Sequence, residues 1–224
     1  MIFAFCRCRA LGTLTHISAP AAASASAAVP RLVDISRKPP AASRRATAEA
    51  LVVVPLARGA AAAWRGAGAE AASRRAALFS TAVAAGVMGA KRTAGLIPMC
   101  HALALSACDI DVRDEEEAEA GAGAGAGAGE GAGAGGAAGA GASTATATLR
   151  VTCTAETTGA ATGVEMEALT GCAVAALTLY DMLKSASKGI AVERLRLLSK
   201  CGGAGGEWRA DADAGAAGGG GAAK

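Results

Sequence analysis

The stretch Thr144-Ala145-Thr146-Ala147-Thr148-Leu149-Arg150-Val151-Thr152-Cys153-Thr154-Ala155 alternates strictly. Ala145, Ala147, Leu149, Val151 and Cys153 fall on one side; Thr146, Thr148, Arg150, Thr152 and Thr154 fall on the other. Successive side chains of a strand point to opposite faces, so the pattern predicts a strand with one apolar and one polar face. Such a strand belongs to a sheet that is covered on one side. Downstream the period changes. Leu169, Cys172, Ala173, Ala176, Tyr180 and Leu183 recur at helical spacing, which predicts a helix over 165–187 with that stripe inward.

Working outward, Val192–Leu198 reads as a further strand with Leu195 and Leu197 on one face. Leu103–Val112 sets Cys108, Ile110 and Val112 against Asp109 and Asp111, again a strand pattern. Ala50–Leu56 reads as a strand, Arg58–Arg75 as a loop or loose helix, and Leu78–Arg92 as a helix with Leu78, Ala82, Gly86 and Ala90 along one side. Gly86 and Gly89 weaken that helix, each by about 1 kcal/mol relative to alanine, so tertiary packing has to hold it. Gly95 is a candidate stop. The order is strand, helix, strand, strand, helix, strand. It predicts an α+β, ferredoxin-like split β-α-β fold: an antiparallel sheet with two helices on one face.

Three segments fall outside that frame. Residues 1–49 read as an N-terminal extension, 118–143 as a Gly/Ala insertion inside the 50–203 domain, and 204–224 as a flexible Gly/Ala tail. Gly131-Ala132-Gly133-Ala134-Gly135-Gly136 matches a dinucleotide-binding fingerprint in form only, since it opens no helix. Arg7, Arg9, Arg31 and Arg37, with no acid before Asp34, give the start of the chain the composition of an organelle transit peptide. The mitochondrial matrix is the expected location, with the cytoplasm as the alternative.

Composition narrows the function classes. Aromatic residues make up 3% of the chain, so the core has to be built from small aliphatics. A net charge of +3 makes no case for nucleic-acid binding. Seven scattered cysteines without a CxxC pair, and only His16 and His101, predict free thiols and no metal site. No membrane span is expected, because no long apolar run lacks a charge or breaker.

Chemistry-bearing residues concentrate in three places. Asp181 and Lys184 stand one turn apart on the shoulder of the helical stripe, where a cleft can form; the bland reading is a surface ion pair. Glu165 and Glu167 open the same helix, where carboxylates also complement the helix dipole. Ala90-Lys91-Arg92-Thr93-Ala94-Gly95-Leu96-Ile97-Pro98-Met99-Cys100-His101 puts two cations at a helix end and a Cys-His pair after a proline turn. Each has a structural explanation when taken alone. Cys100 reads as a core thiol rather than a nucleophile, since nothing near it in sequence lowers its pKa.

Taken together, this segment, Gly163-Val164-Glu165-Met166-Glu167-Ala168-Leu169-Thr170, Tyr180-Asp181-Met182-Leu183-Lys184 and Arg196-Leu197-Leu198-Ser199-Lys200-Cys201-Gly202-Gly203 resemble the cyclic pyranopterin monophosphate synthase family. That is the accessory protein C family of molybdenum-cofactor biosynthesis. Leu14-Thr15-His16-Ile17 and Val33-Asp34-Ile35-Ser36 are similar to its opening segment. The resemblance implies a lyase that rearranges a cyclised dihydro-GTP to a pterin, closes a cyclic phosphate and releases pyrophosphate. It implies Asp181 and Lys184 as the catalytic pair, with His101 hydrogen-bonding substrate or moving a proton. It implies Lys91, Arg92, Cys100, Glu165, Met166, Glu167, Arg75 and Lys200 as substrate-binding residues. No cofactor or metal is expected. The implied assembly is a homo-oligomer, a hexamer built as a trimer of dimers, with pockets between subunits and neither nucleic acid nor membrane as partner.

The chain departs from the family pattern at three basic positions. Arg75-Ala76-Ala77 stands where the family reads Lys-Gly-Asp, Ala160-Ala161 where it has a cation, and Ala204 where it has a lysine. A degenerate paralogue that binds a purine triphosphate or a partner subunit is therefore the second reading, and a plain ferredoxin-like interaction module the third.

Overall fold

The computed structural model describes residues 30–57, 63–64, 66, 68–115, 144–203 and 206–210. The elements are β1 (Arg44–Ala57), α1 (Ala69–Lys91), a single-turn α2 (Thr93–Leu96), β2 (Ala107–Glu115), β3 (Thr144–Thr157), α3 (Glu165–Leu183), β4 (Ala191–Cys201) and the short β5 (Trp208–Arg209). The insertion at 118–143 and the opening segment around His16 lie outside the described residues.

The sheet order is β2-β3-β1-β4-β5, and every pairing is antiparallel. Strand β3 lies between β1 and β2, and β1 between β3 and β4. Each β-α-β unit is thus split by a strand of the other, as the element order predicted. The β1–β3 ladder runs the whole length of both strands, from Arg44↔Thr157 to Ala57↔Thr144. Its inner face is Ala46, Ala48, Ala50, Val52, Val54 and Leu56 on β1, with Ala147, Leu149, Val151, Cys153 and Ala155 on β3, all buried. The alternation along β3 is the predicted one.

Both helices cover that inner face. They meet each other through glycines: a Cβ on Gly86 would sit 2.9 Å from the Gly171 carbonyl oxygen, and one on Gly89 would sit 2.7 Å from Val174. These approaches are the packing that offsets the poor intrinsic propensity of α1. The same contacts show that α1 and α3 run antiparallel, since Gly86 faces Ala175 while Gly89 faces Val174 and Leu78 shares a cleft with Leu183.

Several boundaries differ from expectation. Helix α1 starts at Ala69, nine residues before Leu78, so Arg75 lies inside it rather than ahead of it. The segment Ala69–Ala77 is rich in alanine, arginine and glutamate, strong helix formers, and the Glu70–Arg74 pair one turn apart supports the added turns. Its end is set at Arg92 and Thr93 rather than Gly95: the Thr93 hydroxyl donates to the Ala90 carbonyl at 2.8 Å. Strand β1 begins at Arg44, before the domain boundary expected at 50. Trp208 and Arg209, in the segment expected to be a mobile tail, pair with Lys200 and Ser199. In β4 the register against β1 shifts twice, and Arg194 takes a left-handed φ of 51°. The bulges turn Leu195 outward, 46% exposed, while Leu197 packs on the core; the two leucines do not share a face.

The stripe on α3 also moves. Its core face is Ala168, Gly171, Cys172, Ala175, Ala176 and Leu179, whereas Tyr180 and Leu177 point out. The helix is apolar on nearly every side. By length and composition it could cross a membrane, but 44% of it is buried within this fold. Periodicity cannot choose the inward face of such a helix.

Candidate active site

The N-terminal end of α3 gathers most of the candidate residues. Val164, fully buried, anchors the turn into the helix, and Glu165 and Glu167 occupy its first turn. Glu165 Oε1 accepts from Lys200 Nζ at 2.9 Å, which ties β4 to the helix start. Glu167 turns inward and is 3% exposed. One of its oxygens lies 3.8 Å from the Cys100 sulfur; the other, Oε2, is buried without a hydrogen-bond partner among the described residues. Met166 points outward.

This environment sets the protonation of the pair. Burial raises the Glu167 carboxyl above the usual carboxylate range, and the neighbouring Glu165 charge adds to the rise. Burial, followed by the Glu167 charge, pushes the Cys100 thiol up to about 11. Cys100 is therefore a thiol and not a nucleophile at neutral pH, as the sequence suggested. His101, the next residue, is half-buried.

Cations flank this end. Lys91 and Arg92 stand exposed at the C-terminus of α1. The antiparallel helix pair brings that terminus to the start of α3. Arg44 and Arg45, which the sequence reading passed over, line a small cavity of about 90 Å³ with Gly163, Glu165, Lys200 and Gly202. Arg44 donates to the Ala160 carbonyl at 3.0 Å. The adjacent pair of arginines before a strand was the available signal.

Asp181, Lys184 and Arg75 lie at the other end of the helical layer. Seventeen residues of helix separate Glu167 from Lys184, about 25 Å along the axis. Asp181 and Lys184 form an ion pair at 2.5 Å with side chains 69% and 62% exposed. They do not sit at a desolvated cleft edge within this chain. The hydrogen bond and charge of Asp181 raise the Lys184 ammonium above its ordinary value, the reverse of the lowering that acid–base work near neutrality requires.

A cleft of about 620 Å³ lies beside that pair, lined by Leu56, Trp64, Arg74, Arg75, Met182 and Leu183 among others. Arg75 is already engaged there. Its guanidinium donates to the carbonyls of Trp64 and Gly66 and lies 3.9 Å from Asp114. Asp114 in turn accepts from the Trp64 indole at 3.0 Å. Arg75 thus clamps the chain before α1 onto β2.

On the helix-free face of the sheet Glu49 is fully buried beneath Arg150 and Arg196, which both pair with it. No sequence pattern marked it, because one acid in an alternating strand reads as a solvated position. Among the described residues no group of three His, Cys, Asp or Glu side chains is arranged to hold a metal ion.

The geometry defines an α+β protein whose polar candidate site is divided between the two ends of one helical layer, with cations around the more buried end. Residues 32–203 match the family model of the MoaC family, and the chain belongs to that family. It is 38% identical over 136 residues to the cyclic pyranopterin monophosphate synthase of Thermomicrobium roseum, covering 61% of this chain and 64% of the relative. It is 40% identical over 134 residues to the protein of the same name from Bordetella pertussis, covering 60% of this chain and 65% of that one. The chain thus spans a little under two thirds of the length of these curated relatives.

Proposed function

We propose that the chain is a cyclic pyranopterin monophosphate synthase, a lyase that converts cyclised dihydro-GTP to cyclic pyranopterin monophosphate and pyrophosphate in molybdenum-cofactor biosynthesis. The observation that carries this reading is the contact between Cys100 and Glu167. It joins the Pro-Met-Cys-His segment to the Gly-Val-Glu-Met-Glu segment, which are far apart in the chain. Cys100, His101, Glu165, Met166 and Glu167 would border the pterin-forming ring system. Lys91, Arg92 and Lys200 would hold the phosphates and take up the charge of the departing pyrophosphate. Closing the cyclic phosphate forms one P–O bond at the α-phosphorus and breaks the bond to pyrophosphate, and the attacking hydroxyl gives up its proton. Lys184, oriented by Asp181, and His101 are the groups assigned to proton movement.

A homo-oligomer, a hexamer built from dimers with pockets between subunits, is part of this reading; the separation of about 25 Å between the two ends of α3 supports only that residues of two chains meet at one pocket. Covering Lys184 with a second subunit would desolvate it and bring its pKa down. The arginine-rich, acid-free stretch before Asp34 supports delivery to the mitochondrial matrix rather than residence in the cytoplasm. N-terminal sequencing of protein recovered from organelles tests that location.

One observation favours the second reading, a non-catalytic paralogue that binds a purine triphosphate: Arg75 stands where the family has a lysine, and its donors are occupied. Incubating the purified full-length chain with cyclised dihydro-GTP decides between them. The enzyme yields a pterin, seen by fluorescence after oxidation, together with an equimolar amount of pyrophosphate. Binding of the nucleotide without either product selects the paralogue.

A further inference from the structure

Two thiols that the chemistry above does not use stand side by side on the covered face of the sheet. In the β2–β3 ladder Cys108 lies opposite Ala155, and Ile110 lies opposite Cys153. Opposed residues share a face, so Cys108 and Cys153 are diagonal neighbours on the inner one. Their side chains are hydrogen-bonded to each other. Cys153 is fully buried, and α3 leaves room for it: a Cβ on Gly171 would sit 2.6 Å from the Cys153 sulfur. Cys108 is half-buried at the rim of the core. Water reaches one thiol of the pair and not the other.

The surroundings give the two sulfurs different characters. The hydrogen bond from Cys153, helped by the charge of Lys91, lowers Cys108 below the ordinary thiol value against the opposing effects of burial and Asp109. The same hydrogen bond, together with burial, raises Cys153. Cys108 therefore ionises first, and Cys153 stays the proton donor. An accessible thiol of lowered pKa beside a second thiol is the arrangement of a redox-sensitive pair. The other described cysteines lack it. Cys100 is held as a thiol beside Glu167. Cys172 is fully buried and donates to the Val151 carbonyl at 3.7 Å. Cys201 lies opposite Arg45 rather than a cysteine.

We propose that Cys108 and Cys153 form an oxidation site for hydroperoxides, which closes reversibly to a disulfide between β2 and β3. The Cys108 thiolate attacks one peroxide oxygen, the O–O bond breaks, and the released hydroxide takes a proton from solvent. Cys108 is then a sulfenic acid. The Cys153 sulfur attacks the Cys108 sulfur, the S–O bond breaks, and the leaving hydroxide carries away the Cys153 proton as water. The two thiols together have given two electrons to the peroxide. A small thiol such as glutathione reverses the bond by exchange.

The register also says what kind of disulfide this is. Diagonal Cα atoms on antiparallel strands lie about 7–8 Å apart, at or just beyond the roughly 7 Å that a disulfide spans without backbone movement. Closing the bond therefore draws β2 toward β3. Strand β2 is at the edge of the sheet, and Cys108 is its second residue, so only a strand end has to shift. Strained disulfides are the easily reduced, regulatory ones, which suits a switch better than a permanent staple.

Peptide mapping tests the site on the full-length chain. The reduced protein is treated with a small excess of hydrogen peroxide, denatured and alkylated, then digested with trypsin and chymotrypsin. Cleavage after Leu103, Leu105 and Leu169 places Cys100, Cys108, Cys153 and Cys172 in separate peptides. The expected product is a linked Cys108–Cys153 peptide pair that disappears on treatment with dithiothreitol. Cys108 linked to any other cysteine overturns the proposal. So does Cys108 driven to sulfinic acid while Cys153 is recovered alkylated, or recovery of both as alkylated thiols. A second measurement reads the intermediate. In Cys153→Ala the Cys108 sulfenic acid has no resolving thiol, so its capture by dimedone should rise about fivefold or more over wild type. An unchanged yield removes Cys153 from the chemistry. If Cys153→Ala fails to fold, Cys153→Ser reads the same change, and the wild-type map decides without either.

Discussion

The two ends of α3 are built differently. At the N-terminal end packing does the positioning: Val164 is buried, Glu165 is tied to β4 through Lys200, and Glu167 is driven inward against Cys100. At the C-terminal end Asp181 and Lys184 hold only each other and face water. Burial has perturbed the protonation of the first group, while exposure leaves the second as a charged surface pair. A packed cluster and a solvated ion pair on the same helix teach that chemistry-bearing residues of one element can be held by quite different means. One end is organised by packing; the other is held only by its own exposed ion pair.

The largest expected effect separates the two ends by activity. Asp181→Asn and Lys184→Ala should each lower turnover by about 10²–10³-fold, the range of a lost acid–base group, with the melting temperature unchanged because the pair supports no packing. Near-wild-type turnover in either variant would erase the functional half of the comparison. A parallel loss of folded protein would move the residues into the structural class.

The next effect tests whether packing sets the distance between the ends. Gly86→Ala would place its Cβ 2.9 Å from the Gly171 carbonyl oxygen and 3.0 Å from Ala175. Neither neighbour can swing aside, so overpacking should cost about 1–3 kcal/mol despite the better helix propensity of alanine. Urea denaturation measures it. A stabilised variant would mean that α1 and α3 slide freely.

A third measurement concerns the buried carboxyl. The folded-state pKa of Glu167 lies above its unfolded value. Above the unfolded pKa the native state therefore binds more protons than the unfolded chain, and stability falls as pH rises through the interval between the two values. Below both values the group contributes nothing. Glu167→Gln should raise stability at neutral pH, because the neutral amide removes the buried charge. That gain should vanish as pH drops through the ordinary carboxylate range. Melting curves recorded from acidic to neutral pH check the sign; a gain that grows toward acid contradicts it.

The smallest effect concerns Arg75. Lysine cannot reproduce a guanidinium fork that reaches the Trp64 and Gly66 carbonyls and Asp114 together. Arg75→Lys should lower stability by about 1 kcal/mol or less, on the scale of one net hydrogen bond, and leave turnover unchanged. Increased turnover would assign Arg75 to the site rather than to the clamp.

Legibility followed local chemistry. The alternation along β3 and the succession of elements were readable because each is a short-range pattern that burial enforces residue by residue. Glycines in α1 announced close packing before any partner for them was known. What stayed hidden depended on neighbours remote in sequence. Glu49 is buried only because Arg150 and Arg196 arrive from two other strands. The outward turn of Leu195 follows from a bulge that only the β1–β4 register creates. Arg75 is a different case: its helix was legible in the Ala/Arg/Glu-rich run Ala69–Ala77, which local propensity favours.

By itself, then, the sequence determined the α+β class, the covered face of the sheet and the residue types available for chemistry, since hydrophobic period and motif spacing are properties of the chain. Tertiary structure alone decided which side of the all-apolar α3 turns inward, because rotation of such a helix is chosen by the glycine contacts with α1 and by the sheet beneath it. That choice buries Glu167, exposes Leu177, and leaves Asp181 and Lys184 in water about 25 Å along the helix from Glu167.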